Sequence, residues 1–182
     1  MIDAKRIVNE LVQSVSLISV AEADRLIALI GQSRKIFLAG AGRSGLMGKA
    51  FAMRLMHLGI ATYVVGETIT PAIAEGDLLI IGSGSGETKS LVSMAHKARS
   101  VGAALAVVTI HPESTLGSLA DVAVKLPGTP KDKTEAEYGT IQPMASLFEQ
   151  TLLIFYDSIV IRLMDKQRSD SGRMFLNHAN LE

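Results

Sequence analysis

The sequence predicts an α/β domain built on a parallel sheet with helices on both faces, and three observations predict it. Five short apolar runs recur along the chain: "KIFLA" 35–39, "ATYVV" 61–65, "DLLIIG" 77–82, "AALAVVTI" 103–110 and "VAVKLP" 122–127. They are nearly unbroken rather than alternating apolar and polar, as befits strands covered on both faces. Segments with apolar residues at helical spacing lie between several of them, and strand–helix alternation implies a parallel sheet. At 182 residues the chain suits one domain around a single core.

Two helices come first. Residues 4–18 place Ile7, Leu11, Val12 and Val15 at helical spacing, and 21–31 do the same with Ala21, Leu26, Ile27 and Ile30 before Gly31 supplies a stop. The first and third strands feed helical patterns at 43–58 and 88–100, and the fourth feeds a short one near 115–120. The result is a five-stranded parallel sheet in a sandwich of the flavodoxin-like kind. Residues 128–140, "GTPKDKTEAEYGT", are polar and charged and are expected to form a surface loop. From about Pro143 to Leu163 a helix is apolar on nearly every face, through Met144, Leu147, Phe148, Leu152, Leu153, Ile154, Phe155, Ile159, Val160 and Ile161. Such a helix is buried in the core or in a subunit interface. Its anomaly is Glu149. The chain therefore divides into N-terminal helices at 1–31, an α/β core at 35–127 and C-terminal helices at 141–182, all one domain.

Composition narrows the function. Lysine plus arginine and aspartate plus glutamate number 18 each, so no global field favours nucleic acid or an anionic membrane. No run approaches ~18 uninterrupted apolar residues, and "MIDAKRIVNELVQ" lacks a long apolar targeting region. Cysteine is absent, which removes disulfides and thiolate chemistry and suits a reducing compartment. The expectation is a cytoplasmic protein with neither nucleic-acid nor membrane partners.

Two glycine-rich turns follow strands, where ligands bind in open parallel sheets. "GSGSGET" 82–88 offers three glycines and the hydroxyls of Ser83, Ser85 and Thr88. Glycines let backbone N–H groups approach an anion, and the following helix N-terminus adds unpaired donors, so the loop suits a phosphate. The alternative is helix capping, with Ser85 as N-cap and Thr88 at N3. The earlier turn, "FLAGAGRSGLMG", matches G-x-G-x-x-G at Gly40, Gly42 and Gly45, with Glu67 about 20 residues on, as a dinucleotide site requires. That reading leaves the second, hydroxyl-rich loop without a purpose.

"GSGSGET" after a buried strand resembles the phosphosugar signature of the sugar isomerase (SIS) domain. "FAMRLMHLG", "VVGET", "TPAIAEGDLLI", "QPMASLFEQ" and the terminal "HANLE" are similar, end to end, to the 6-phospho-3-hexuloisomerases within that family. The resemblance implies a single SIS domain that interconverts 3-hexulose 6-phosphate and fructose 6-phosphate in the ribulose monophosphate route of formaldehyde fixation. It implies a homotetramer with no metal and no organic cofactor. It also implies that Ser83, Ser85 and Thr88 take the phosphate, that Gly42, Arg43 and Ser44 line the sugar, and that Glu149 is the base. The alternatives are another SIS-type phosphosugar isomerase or a phosphosugar-sensing module. A sensor is expected to lack the base and to carry a DNA-binding partner domain, so Glu149 favours the isomerase.

The residues support this chemistry independently. Moving a carbonyl from C3 to C2 removes the C2 proton, passes through a cis-enediolate and reprotonates C3, and one carboxylate can perform both transfers. Glu149 fits, with Leu152 and Tyr156 one and two helical turns on; the competing role is a glutamate favoured by the helix dipole. Arg43, the only cation of its loop, suits the enediolate oxygen, or else a surface salt bridge. Of His57, His96, His111 and His178, none has metal-ligand spacing with another ligand type. His57 and His178, raised above the others by the resemblance, are candidates to shuttle a proton between O2 and O3 or to open the fructose ring; packing is the competing role. His178, in the tail "FLNHANLE", is most useful reaching into a neighbour's cleft, and the apolar helix from Pro143 favours burial against partner copies, so shared active sites in a homo-oligomer are expected.

Overall fold

The computed structural model describes residues 2–129 and 139–181. Helices α1 (Ile2–Ser16) and α2 (Val20–Gln32) lead into β1 (Ile36–Gly40), α3 (Gly42–His57), β2 (Thr62–Val64), β3 (Leu78–Gly82), α4 (Lys89–Ser100), β4 (Ala104–Thr109), α5 (Thr115–Leu119) and β5 (Val122–Lys125). Helices α6 (Ser146–Gln167) and α7 (Ser171–Phe175) close the described chain. The five strands form one sheet in the order β2-β1-β3-β4-β5. Every pairing is parallel, with Ile36 opposite Thr62 and Leu78, Leu78 opposite Ala104, and Ala106 opposite Val122.

The unbroken apolar strands have the reason anticipated: alternate residues enter two cores. Ile36, Leu38, Leu78, Ile80, Ala106 and Val108 join the core covered by α2, α3 and α6. Phe37, Ala39, Leu79, Ile81, Leu105 and Val107 join the one covered by α4 and α5. Side chains alternate along a strand, so burial on both sides demands apolar residues at every position. Because β1 and β3 are central neighbours, the two glycine-rich turns emerge side by side, Gly40 paired with Gly82.

Two elements differ from the sequence-based expectation. The last long helix starts at Ser146 rather than Pro143, because Met144 takes a left-handed φ of 55° that no helix accommodates. It continues to Gln167 and ends on a left-handed Arg168. Its burial is one-sided within the chain: Leu147, Phe148, Leu152, Phe155, Tyr156, Ile159 and Leu163 are buried, while Ile154 and Ile161 remain exposed. In α1, Val12 and Val15 are likewise exposed, and Ser14 is its buried residue. Most of the loop expected at 128–140 lies outside the described residues. No described helix is long and apolar enough to cross a membrane.

Candidate active site

The site begins with the close approach of two helices to the ends of β1 and β3. A Cβ at Gly45 would collide with the carbonyl of Gly40, so these two glycines let α3 lie against its own strand. A Cβ at Gly82 would stand 3.0 Å from Leu152 Cδ2 and 3.2 Å from Tyr156 Oη. Gly82 therefore lets α6 press onto the second loop, and Tyr156 stacks on Phe51 of α3 at 4.3 Å to wedge the two helices together. Burial pushes the Tyr156 phenol well above its ordinary value, so it stays neutral.

Between these elements lies a cleft of about 220 Å³ lined by Ala41, Ser44, Gly82, Ser83, Gly84, Ser85, Thr88, Leu91, Ile110 and Ala145. The hydroxyl loop is held open toward it. Ser83 N–H donates to Val108 O at 3.0 Å, while the Gly84 carbonyl accepts from Ile110 N–H and Thr109 Oγ1, both at 3.2 Å. Leu116 N–H donates to Gly86 O at 3.1 Å. Ser83 Oγ accepts from Gly86 N–H at 3.2 Å and Ser85 Oγ from Glu87 N–H at 3.3 Å. A hydroxyl that accepts from the backbone still has its own proton to donate. Two serine O–H groups thus remain for an anion.

The capping alternative is corrected in detail. The N-cap of α4 is Thr88, not Ser85, and the Thr88 hydroxyl makes no capping bond. The first turn of α4 contains no acidic residue, so its N-terminal donors and partial positive charge face the cleft uncompensated. Glu87, the one carboxylate in the loop, is turned aside: Thr115 N–H and Oγ1 bind it at 2.7 and 2.8 Å and hold its carboxyl below the usual carboxylate range. The dinucleotide pattern dissolves similarly. Gly40 and Gly45 serve packing, and Glu67 pairs with Lys49 at 3.4 Å.

Beside the cleft stands a charged pair. Arg43 Nη1 donates to Glu149 Oε2 at 3.0 Å and to Ser146 Oγ at 2.9 Å. Glu149 is 8% exposed. Gly42 and Arg43 open α3 next to Ser44, and Glu149 lies one turn beyond Ala145, whose carbonyl accepts its N–H at 3.0 Å. Neither charged side chain lines the cleft itself; both stand beside residues that do. The apolar isolation expected for Glu149 is modified, since a guanidinium and a hydroxyl meet there. Ser146 was invisible to sequence reasoning, because its partner lies 103 residues away.

His57 and His178 are brought together, but elsewhere. Their rings stack at 5.3 Å in a separate cavity of about 420 Å³ with Arg54, Asp157, Met174 and Phe175. Arg54 Nη1 approaches His57 Nδ1 at 3.3 Å, and Asn177 Nδ2 donates to the His57 carbonyl at 3.0 Å. Burial, then the charges of Arg54 and His178, lower the pKa of His57. Within one chain neither imidazole joins Glu149. Among the described residues no group of three or more His, Asp or Glu could hold a metal ion.

Comparison with known proteins follows the same lines. Residues 29–158 match the SIS domain model. The chain belongs to the SIS-domain family. A Bacillus subtilis (strain 168) protein named 3-hexulose-6-phosphate isomerase is 58% identical over 176 residues, covering 97% of this chain and 95% of its own. A Mycobacterium gastri protein of the same name is 42% identical over 153 residues, 84% of this chain and 76% of its own. A crystal structure from Methanococcus jannaschii, inferred to have the molecular function of 3-hexulose-6-phosphate isomerase, superposes with a TM-score of 0.84 at 32% identity and covers 100% of both chains. The SIS match contains both glycine-rich turns and Glu149, whereas α1 and His178 lie outside it.

Proposed function

We propose that this SIS-domain protein is an isomerase that interconverts 3-hexulose 6-phosphate and fructose 6-phosphate. The observation that carries the reading is the Arg43–Glu149 pair, 3.0 Å apart, beside a loop whose free donors suit a phosphate. Ser83, Ser85, Thr88 and the N-terminus of α4 take the phosphate. The sugar then runs toward Ser44, Arg43 and Glu149. Glu149 removes the C2 proton, the electron pair forms the C2–C3 enediolate, and Arg43 stabilises the oxygen that gains charge. The carboxylic acid so formed returns its proton to C3 while the O2–H proton passes to O3 and the carbonyl re-forms at C2, so atoms and electrons balance without any redox partner.

The histidines enter this reading only across a subunit boundary. A homotetramer with shared sites is supported by exposed apolar side chains on α1, α2 and α6, among them Val8, Val12, Val15, Val20, Ile154 and Ile161. Of these, Val15, Val20 and Ile154 line a groove of about 260 Å³. Exposed apolar area of this kind is characteristic of association surfaces. A cytoplasmic location accords with the absence of cysteine.

The test is an assay with enzymatically made 3-hexulose 6-phosphate, coupled to detection of fructose 6-phosphate. Turnover is expected at the catalytically ordinary rate of about 1–10³ per second. Binding of the phosphosugar without turnover would move the reading to a sensing module.

A further inference from the structure

Helix α1 lies outside the stretch that matches the SIS domain, which begins at residue 29, and its outer face is largely exposed. Yet it contributes one half-buried carboxylate to the scaffolding of the site. Glu10 Oε1 accepts from Ile141 N–H at 2.8 Å, and its Oε2 accepts from Thr140 Oγ1 at 2.7 Å and Gln142 Nε2 at 3.0 Å. Thr140 Oγ1 in turn accepts from Gln142 N–H at 3.0 Å, and the Gln142 side chain is buried. Three consecutive residues are thus gathered on one carboxylate about 130 positions away in sequence.

What those residues lead into gives the clamp its meaning. After Gln142 come Pro143 and the left-handed Met144, then Ala145, which lines the cleft, Ser146, which binds Arg43, and Glu149. A left-handed methionine is an unfavourable conformation that persists only where neighbours hold it. On the downstream side the Ala145 carbonyl is bound by Glu149 N–H at 3.0 Å. Upstream, the fixed point is Glu10.

From this we infer that Glu10 is a positioning residue for the reaction: it clamps the 140–142 segment so that the first turn of α6 presents Ser146 and Glu149 to Arg43 in working register. The inference rests on the isomerase reading for its kinetic consequence. Burial pushes the Glu10 carboxyl up, but the Ile141 N–H with the Gln142 and Thr140 donors outweighs it and holds the carboxyl below its usual range. The clamp is therefore charged throughout the working pH range. The hydroxyl loop's own bonds run to Val108, Thr109, Ile110 and Leu116 rather than to Glu10, so the phosphate donors are held independently of the clamp.

The test compares Glu10→Ala, Glu10→Gln and Thr140→Val in the full chain, each verified as folded by circular dichroism at the assay temperature. A displacement of the base by a fraction of an ångström to about 1 Å costs roughly 10–100-fold in kcat, and that is the loss expected for Glu10→Ala. Fructose 6-phosphate affinity by calorimetry should stay within about two-fold, because the donors it measures lie elsewhere. The primary isotope effect with substrate deuterated at C2 should rise, since proton transfer becomes more limiting. Glu10→Gln keeps an acceptor for Ile141 N–H and should recover part of the loss, and Thr140→Val, which removes one donor, should show a smaller loss in the same direction. Amide hydrogen exchange at Ile141, Gln142 and Ser146 should accelerate in Glu10→Ala whether or not the parent turns over this substrate, so failure of the isomerase reading is seen separately, in the parent assay. Unchanged exchange, or accelerated exchange with unchanged kcat and isotope effect, would overturn the positioning role.

Discussion

The two ends of the α3–α6 pair differ in kind. At one end the cleft is built mainly from backbone, with glycines, two serine hydroxyls tied to loop N–H groups and a helix N-terminus, and a single charged pair stands beside it. At the other end, side chains dominate, with His57 and His178 stacked beside Arg54 and Asp157 among methionine and phenylalanine. Helix α3 carries Arg43 in its first turn and His57 as its last residue, a separation of roughly 20 Å along a rigid axis. The difference teaches how chemistry is distributed in this fold. One chain holds the hydroxyl loop and the Glu149 carboxylate at the strand ends, and holds the His57–His178 pair at the opposite end of α3.

The largest expected effect breaks the first end. Glu149→Gln keeps the shape and a hydrogen bond to Arg43 but loses the proton acceptor, so turnover should fall by about 10²–10⁴ with phosphosugar affinity retained. Steady-state kinetics together with calorimetry check it. The same variant sharpens the comparison when mixed with His178→Ala. If base and imidazole serve one site from different chains, hybrid oligomers of two impaired variants regain activity. No recovery under demonstrated subunit exchange would confine the chemistry to the Glu149 end.

A smaller effect is expected for the loop. Replacing Ser83 and Ser85 together by alanine removes two donors to a charged group and should weaken fructose 6-phosphate binding by about 1–3 kcal/mol. Both hydroxyls also accept a loop N–H, so some stability is lost as well, but less. Calorimetric titration beside thermal unfolding separates the two. A loss confined to stability would return the serines to a purely structural role.

The contrast between the ends also explains what was legible in the sequence. Strand positions and the hydroxyl loop were readable because period, glycine spacing and hydroxyl content are local properties, and the two-sided burial of β1, β3 and β4 leaves only apolar residues possible. Glu149 was readable as an acidic residue in an apolar helix. Ser146, the clamp by Glu10 and the bonds from Thr109 and Thr115 to the loop were not, since each depends on a partner 25 to 132 residues distant. The left-handed Met144 is a further example: nothing in "QPMAS" departs from a helix start except through the tertiary contacts that hold it. His57 and His178 were picked out as residues, but their stacking against each other, rather than against Glu149, followed only from helix length.

The smallest expected effect concerns the histidine end and reads out in stability. His57 is buried, and desolvation, then the neighbouring charges of Arg54 and His178, depress its pKa in the folded protein below the ordinary value of 6.5. Between the two values the unfolded chain binds more protons than the folded one, so stability rises with pH there. The contribution is present above about pH 6.5 and is lost as pH falls through the depressed value. Thermal midpoints measured from pH 7.5 down to pH 5 should therefore decline for the parent and decline less for His57→Gln, which cannot titrate. His178→Ala removes one like charge from beside the imidazolium, raises the folded His57 pKa toward its ordinary value and should make the decline shallower than the parent's. Identical profiles for the three proteins would mean that folding leaves the His57 pKa unchanged, and the contrast between the two ends would then rest on geometry alone.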